Sequence, residues 1–514
     1  MSMLDYQNYE EAYAKFNWDQ TWELFDGDPG NFNMGHECLD RHVGKGTAIR
    51  IKFADGHREE YSFDQLSKMT SQFANALESI GVDFGDRVAI MLDPCLEYYV
   101  SLFGTMKRGA IAAPCFPQFG PEAIEYRLKD SGAKVLVTTE DKKGMVAGWP
   151  NLKVILVGSE FMKFIEGRSD QYKSKTAAKD VAVFQYTSGT TRKFPEAIKH
   201  YHRSIVTLMP AAIFGRGFRP GDRYFCPSHP AWGHGLWHGT LSPLALGIAV
   251  GAYSGKFNVE TLLQGLEEFE IDNLGAAPTV YRIIKNSGLV GNYKLKIKKM
   301  HYTGEPMDTD TFEYLKKTFG VPPHSGYGST EAGALIYQYA GFKNWVVKPG
   351  SLGKPMPGME VALLDKEGNI VPQGTIGEIS MKRRGKWFRV KDAGVVDEDG
   401  VYWHKGRVDD VIISAAWTIS PTEVENALQK HPAVLEVVVV GAPDKERGLI
   451  VKAYIGTDAE PSEKLKKELQ DFVKTRLSKH EYPREIEFLK RLPRTEGGKI
   501  KREELKKRAA ARVG

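Results

Sequence analysis

Short apolar runs of strand length alternate with amphipathic helical segments along most of the chain. The runs over 152–157 and 181–186 are nearly continuous, the pattern of strands buried on both faces of a parallel sheet. Leu66, Met69, Phe73, Leu77 and Ile80 recur at helical spacing, with Asp64 placed to cap that helix and Gly81 to stop it. A strand over 87–92, helices over 96–106 and 122–130, and a strand over 134–139 continue the alternation. A chain of this texture folds into α/β layers. At 514 residues it exceeds one compact core, so two to four domains or subdomains are expected.

Near residue 350 the texture changes. Gly350, Gly353, Pro355, Pro357, Gly358, Gly368, Gly374 and Gly377 punctuate short strands, which predicts a β-rich subdomain. Beyond about residue 409 the pattern predicts a smaller unit. It holds a helix from Pro421, strands over 434–440 and 450–455, and a lysine-rich amphipathic helix over 462–477. The expected division is 1–408 for the N-terminal part and 409–514 for the C-terminal domain, a length that folds by itself.

Composition excludes several classes. Basic residues number 70 against 65 acidic, a formal +5, too small and dispersed an excess for nucleic-acid binding. The densest basic run, 501–512, reads as a solvated helix face or frayed tail. Cys38, Cys95, Cys115 and Cys226 form no CxxC pair, which speaks against zinc or a disulfide framework and suits a reducing compartment. The acidic N-terminus lacks the apolar core of a signal peptide, and the longest apolar stretch, 242–253, is too short to span a bilayer. A soluble cytoplasmic protein without membrane insertion is the expectation.

The chemistry-bearing segments come in a fixed order. Directly after the strand over 181–186 stand Thr187, Ser188, Gly189, Thr190 and Thr191. Hydroxyl and backbone N–H donors converge there, and Gly189 allows close backbone approach to an anion. Taken alone, the segment also reads as a polar Ser/Thr-rich turn. It lacks the GxxxxGK[ST] pattern of P-loop enzymes. Further on come Thr303-Gly304-Glu305-Pro306 and Ser325-Gly326-Tyr327-Gly328-Ser329-Thr330-Glu331. Then follow Lys391-Asp392-Ala393-Gly394, Gly406-Arg407-Val408-Asp409-Asp410 and, near the end, Pro493 to Arg502 with its Gly497-Gly498-Lys499 core.

In this order and spacing the segments resemble the adenylate-forming superfamily, in its acyl-CoA synthetase branch. The resemblance spans nearly the whole chain, because Leu39 to His42 and Gly85 to Val88 also look like that branch. It implies a large α/β N-terminal part of several subdomains, with parallel-rich sheets and a β-barrel-like subdomain, and a small mobile α+β C-terminal domain. It also implies an acid–CoA ligase that uses ATP, Mg²⁺ and coenzyme A. The phosphate loop YTSGTT is kept, after which Arg192 replaces a glycine and Glu196 stands near the usual lysine, so Arg192 or Lys193 is expected to supply the positive charge.

By the same resemblance, Gly304, Glu305 and Pro306 line the adenine pocket with Ser325, Gly326, Tyr327 and Gly328, and Tyr327 stacks on the base. Thr330 binds the α-phosphate, and Glu331 helps hold Mg²⁺, which accepts few hard oxygen ligands beside nucleotide phosphates. Asp392 accepts hydrogen bonds from the ribose hydroxyls, and Arg407 reaches the same sugar. Val390-Lys391 stands where the family has Thr-Gly. Lys499 bridges the carboxylate and the α-phosphate; one charge at ~4 Å contributes about 4 kcal/mol at an effective dielectric near 20. Asp409 is the pivot, and Ala416 replaces a glycine of the pantetheine tunnel.

Between the phosphate loop and the tyrosine segment, Trp232, His234, Trp237 and His238 alternate with small residues and resemble the family's acyl-pocket helix. Core packing around a satisfied imidazole is the other reading of these residues. Ala276, Ala277 and Gly328 are expected to give the acid room. Acetate synthetases of the superfamily are longer chains with a tryptophan beside the tyrosine, so Gly326 and Gly328 imply an acid larger than acetate. Aromatic, branched or hydroxylated acids of short to medium length all fit. Loading of a separate carrier protein, or silent nucleotide or acyl binding, are the rival functions. Oligomeric state is left open, a homodimer being one option.

Overall fold

The computed structural model describes residues 2–149, 151–186, 197–329, 332–408, 410, 412–414, 417–444, 448–477, 481–494 and 500–511. Its contacts divide the chain into two compact units, 1–358 and 359–514. The β-rich segment after residue 358 is therefore counted with the C-terminal unit, whereas the boundary expected from sequence falls at 408/409.

Among the described residues the first unit holds two sheets. One has six strands in the order Lys153–Leu156, Val135–Thr138, Arg87–Met91, Ile111–Cys115, Val181–Tyr186 and Ala197–Tyr201. All neighbours run parallel except the last pair, an antiparallel hairpin whose register sets Tyr186 opposite Ala197. The second sheet has nine strands, with a parallel centre made of Pro323–Ser329, Lys299–Tyr302, Asn273–Ala276, Tyr224–Cys226, Val250–Ser254 and Thr47–Phe53. The crossovers are helices, as parallel pairing requires. Val259–Glu268, Pro278–Ser287 and Thr309–Phe319 pack an apolar face that includes Leu262, Tyr281 and Phe312 onto this sheet.

Most elements form where the periodicity predicts, with one change of cap. The helix Phe63–Ser79 is capped by Ser62, not by Asp64: Ser62 and Gln65 make a reciprocal capping box, and Asp64 instead accepts from the Gly44 N–H at 2.9 Å. Gly81, at φ +79°, ends that helix as expected. The apolar stretch over 242–253 is an interior turn of helix followed by the buried strand Val250–Ser254. Among the described residues no helix is long and apolar enough to cross a membrane.

The second unit contains the β-rich subdomain as a four-stranded antiparallel meander, Val361–Leu364, Gly377–Arg383, Lys386–Val396 and Tyr402–Arg407. It is an open sheet, its edge strands unpaired with each other among the described residues. A five-stranded sheet follows, built on the hairpin of Glu436–Asp444 and Gly448–Gly456, with Pro421–Leu428 and Glu463–Lys474 packed on its apolar side. The terminal basic run is not simply a solvated face. It forms the helix Arg502–Ala510, where Arg502 donates to Glu425 Oε1 at 2.6 Å, Lys506 pairs with Asp410 and Arg508 with Glu487.

Candidate active site

Several expected site residues lie outside the described residues: Thr187, Ser188, Gly189, Thr190, Thr191, Arg192, Lys193, Thr330, Glu331, Asp409 and Lys499, together with Glu196 and Ala416. The frames that carry them are described. Residues 187–196 connect the two strands of the hairpin that closes with Tyr186 opposite Ala197. Residues 495–499 are bracketed by an antiparallel bridge between Arg494 and Ile500, with Lys501 N–H donating to Pro493 O at 2.8 Å.

In the first unit, the strand Lys299–Tyr302 runs into the segment Thr303 to Pro306 beside the strand Pro323–Ser329. The Thr303 hydroxyl donates to Gly326 O at 2.6 Å and ties the two together. Glu305 accepts from the Thr279 amide at 2.8 Å, and Arg282 lies 3.3 Å away. Gly304 has φ +97°, and its missing side chain leaves the Trp232 ring 3.1 Å from where a Cβ would stand. Ser325, buried, donates its hydroxyl to Ser351 O at 2.9 Å, so that hydroxyl serves the fold. Tyr327 is half-buried on the strand face opposite Gly326 and Gly328.

The two glycines do not open room for an acid. A Cβ at Gly326 would meet Tyr337 Cε1 at 2.5 Å, and one at Gly328 would run into the Gly333 carbonyl oxygen. Both are glycine because the neighbouring hairpin strand already fills the space. Ala276 is fully buried in the sheet centre.

The acyl-pocket segment forms a widened helix over His234–Leu241, the loosened geometry that recurs at functional sites. Gly239 lets it lie against the strand Tyr224–Cys226, a Cβ there falling 2.9 Å from Cys226 Sγ, and Gly235 lets it approach the backbone of Ser228 and His229. Trp232 and His234 meet edge to face at 5.4 Å, and His234 Nδ1 is 2.9 Å from Ser228 Oγ. Trp237 is buried, its indole N–H donating to Gln185 Oε1 at 3.0 Å and its ring 4.6 Å from His200. It therefore packs between the helix and the phosphate-loop strand. Burial, then the Arg216 charge, pulls His234 down to about 3 and His238 well below the usual imidazole range, so both are neutral.

Sequence reading missed Gln185, Arg216, Tyr224 and His301 as neighbours of this segment. The available signal was a lone charge, Arg216, between glycines in an otherwise apolar run.

In the second unit, Asp392 and Arg407 come together across adjacent strands, paired in register, with Oδ1 3.3 Å from Nη1 and His404 3.9 Å away. Lys391 holds φ +64° where the superfamily has glycine, its amide donating to Glu378 Oε1 at 3.0 Å. The tight turn after this strand is closed by Asp397, which accepts from the amides of Asp399 and Val401. Among the described residues no group of three His, Cys, Asp or Glu side chains could hold a metal ion.

The family model of the AMP-binding enzyme matches residues 39–386, and that of the AMP-binding enzyme C-terminal domain matches 423–499. The chain belongs to the AMP-binding enzyme family. Within it, the acetyl-coenzyme A synthetase of Bacillus subtilis (strain 168) is 32% identical, the match covering 97% of this chain and 95% of that one. The mitochondrial acyl-coenzyme A synthetase ACSM3 of Rattus norvegicus is 31% identical over 93% of this chain and 91% of its own. The solved structure of the anthranilate CoA ligase AuaEII with anthranoyl-AMP is similar at a TM-score of 0.85, with 28% identity, covering 95% and 99%. This family member is thus an AMP-forming acid–thiol ligase of the acyl-CoA synthetase branch. Because the Bacillus acetyl-coenzyme A synthetase is matched over nearly its full length, chain length does not separate acetate from larger acids.

Proposed function

We propose that the protein activates a carboxylic acid larger than acetate as its acyl-adenylate, using ATP and Mg²⁺, and transfers the acyl group to coenzyme A with release of AMP and pyrophosphate. The observation that carries the choice of acid is the similarity, at a TM-score of 0.85, to a ligase holding an aromatic acyl-adenylate. The buried imidazoles of the widened helix are consistent with an acid that carries a further polar group.

In this mechanism the 187–193 loop cradles the phosphates and Tyr327 stacks on adenine, while Asp392 and Arg407 hold the ribose. Mg²⁺, held through Glu331, neutralises phosphate charge when bound. Lys499 draws the carboxylate and the α-phosphate together as charge builds on phosphorus, where a preorganised cation is most effective. The C-terminal domain, 409–514, then turns about Asp409 and exposes the adenylate to the thiol. The ion pairs from Asp410 to Lys506 and Arg502 support a body that begins directly after the pivot, since they tie the helix following Lys499 to Asp410.

Acid-dependent exchange of labelled pyrophosphate into ATP tests adenylation, and adding coenzyme A or a carrier protein to the preformed adenylate tests the acceptor. Absence of exchange across a broad acid panel would favour a silent binder.

A further inference from the structure

A cation is buried beside the widened helix with no carboxylate paired to it among the described residues. Arg216 is 1% exposed, and its Nε and Nη1 find no partner there. Its guanidinium lies 5.4 Å from the centre of the Tyr337 ring, the same ring that fills the space at Gly326. Other buried polar atoms without partners gather around this charge: the Tyr224 hydroxyl, His234 Nε2, His238 Nδ1 and both ring nitrogens of His301. The rings interlock. His301 stacks on Tyr224 at 5.5 Å and meets His234 at 6.4 Å, while His234 stands edge-on to Trp232, which borders Gly304.

Such a group is unfavourable as it stands. A buried cation without a counter-charge is strongly destabilising, and a buried donor without an acceptor adds to that. The imidazoles stay neutral beside Arg216 and cannot compensate its charge. Water or a hydroxyl would satisfy the hydrogen bonds and still leave one net positive charge. The guanidinium supplies donors only, while the phenol and each neutral imidazole supply a donor and an acceptor apiece, so donors are in excess. Their complement is an anion with several lone pairs, such as a carboxylate.

We infer that Arg216, with Tyr224, His234 and His301, receives a second acidic group at the far end of the acid, so that the substrate is a dicarboxylate. This rests on the ligase reading above and narrows it.

Pyrophosphate exchange with length-matched pairs, each a monoacid and its ω-carboxylate counterpart, is the test. The wild-type enzyme should show kcat/KM for one diacid at least about 10²-fold above its monoacid partner, because a site built around buried polar groups rejects a ligand that leaves them unpaired. Arg216→Met should collapse that ratio toward one; His301→Asn, a milder change, should narrow it. A wild-type enzyme that prefers the monoacid or a neutral hydroxy acid would overturn the inference and leave the ligase reading standing. So would monoacid turnover that depends on added chloride, which would assign the charge to a free anion. Equal loss of both acids in Arg216→Met, with the wild-type ratio already near one, would place the guanidinium at the reacting carboxylate or in the fold alone. No exchange with any acid would remove the ligase reading itself.

Discussion

Trp237 donates its indole N–H to Gln185 Oε1 at 3.0 Å, joining the acyl-pocket helix to the strand that ends at residue 186, immediately before the phosphate loop. Both side chains are buried. Gln185→Leu should destabilise the protein by about 1–3 kcal/mol, because it strands a buried N–H. Adding Trp237→Phe should recover part of that loss, a coupling that denaturant midpoints of the four variants would measure. Independent, additive losses would show that the bond does no structural work.

Lys499→Ala should slow adenylation by at least about 10²-fold, the scale of losing one preorganised charge at the reacting centre. Thioester formation from supplied acyl-adenylate should change much less. Single-turnover measurement of each half-reaction separates the two, and equal losses would contradict the assigned role.

The backbone at Lys391 is left-handed, at φ +64°, and the residue is exposed. A side chain there costs about 1–2 kcal/mol, partly offset by the larger entropy a glycine loses on folding. Lys391→Gly should therefore raise stability by roughly 0.5–1 kcal/mol, and Lys391→Val should lower it, as read from unfolding in denaturant.

Burial holds His202 and His234 near pKa 3 and His42, His200 and His324 near 4. The unfolded chain binds protons at these sites from its ordinary pKa of about 6.5 downward, and the folded chain does not. Their contribution is therefore fully present above that pH and is lost as pH falls through the window from about 6.5 to 3. At pH 5, each of His202 and His234 should subtract about 2 kcal/mol. Unfolding free energy measured from pH 8 to 5 should fall with a slope of several protons; a flat profile would mean that these rings are protonated in the folded protein.

Local pattern was sufficient for the elements themselves. The runs at 87–92, 134–139, 152–157 and 181–186 formed strands, because a continuous apolar run of that length has few other ways to hide from water. The motif order was equally legible, since each motif is contiguous: the spacing that identifies Tyr327, Asp392 and Lys499 is carried by neighbouring residues. Asp64 is not the cap because Ser62, two residues earlier, forms a reciprocal pair with Gln65.

What side chains do once buried was decided elsewhere in the chain. Gly326 and Gly328 looked like space for a substrate, yet Tyr337 and Gly333 occupy it. Trp237 looked like a pocket wall, and its indole is committed to a glutamine 52 residues away. Arg216 carries no motif signal, but folding removes it from water among neutral imidazoles drawn from two different elements, the widened helix and the strand Lys299–Tyr302. Secondary structure and motif chemistry act over a few residues and survive in the sequence. Desolvation, charge compensation and the filling of space depend on which distant segments meet, so only the folded chain fixes them.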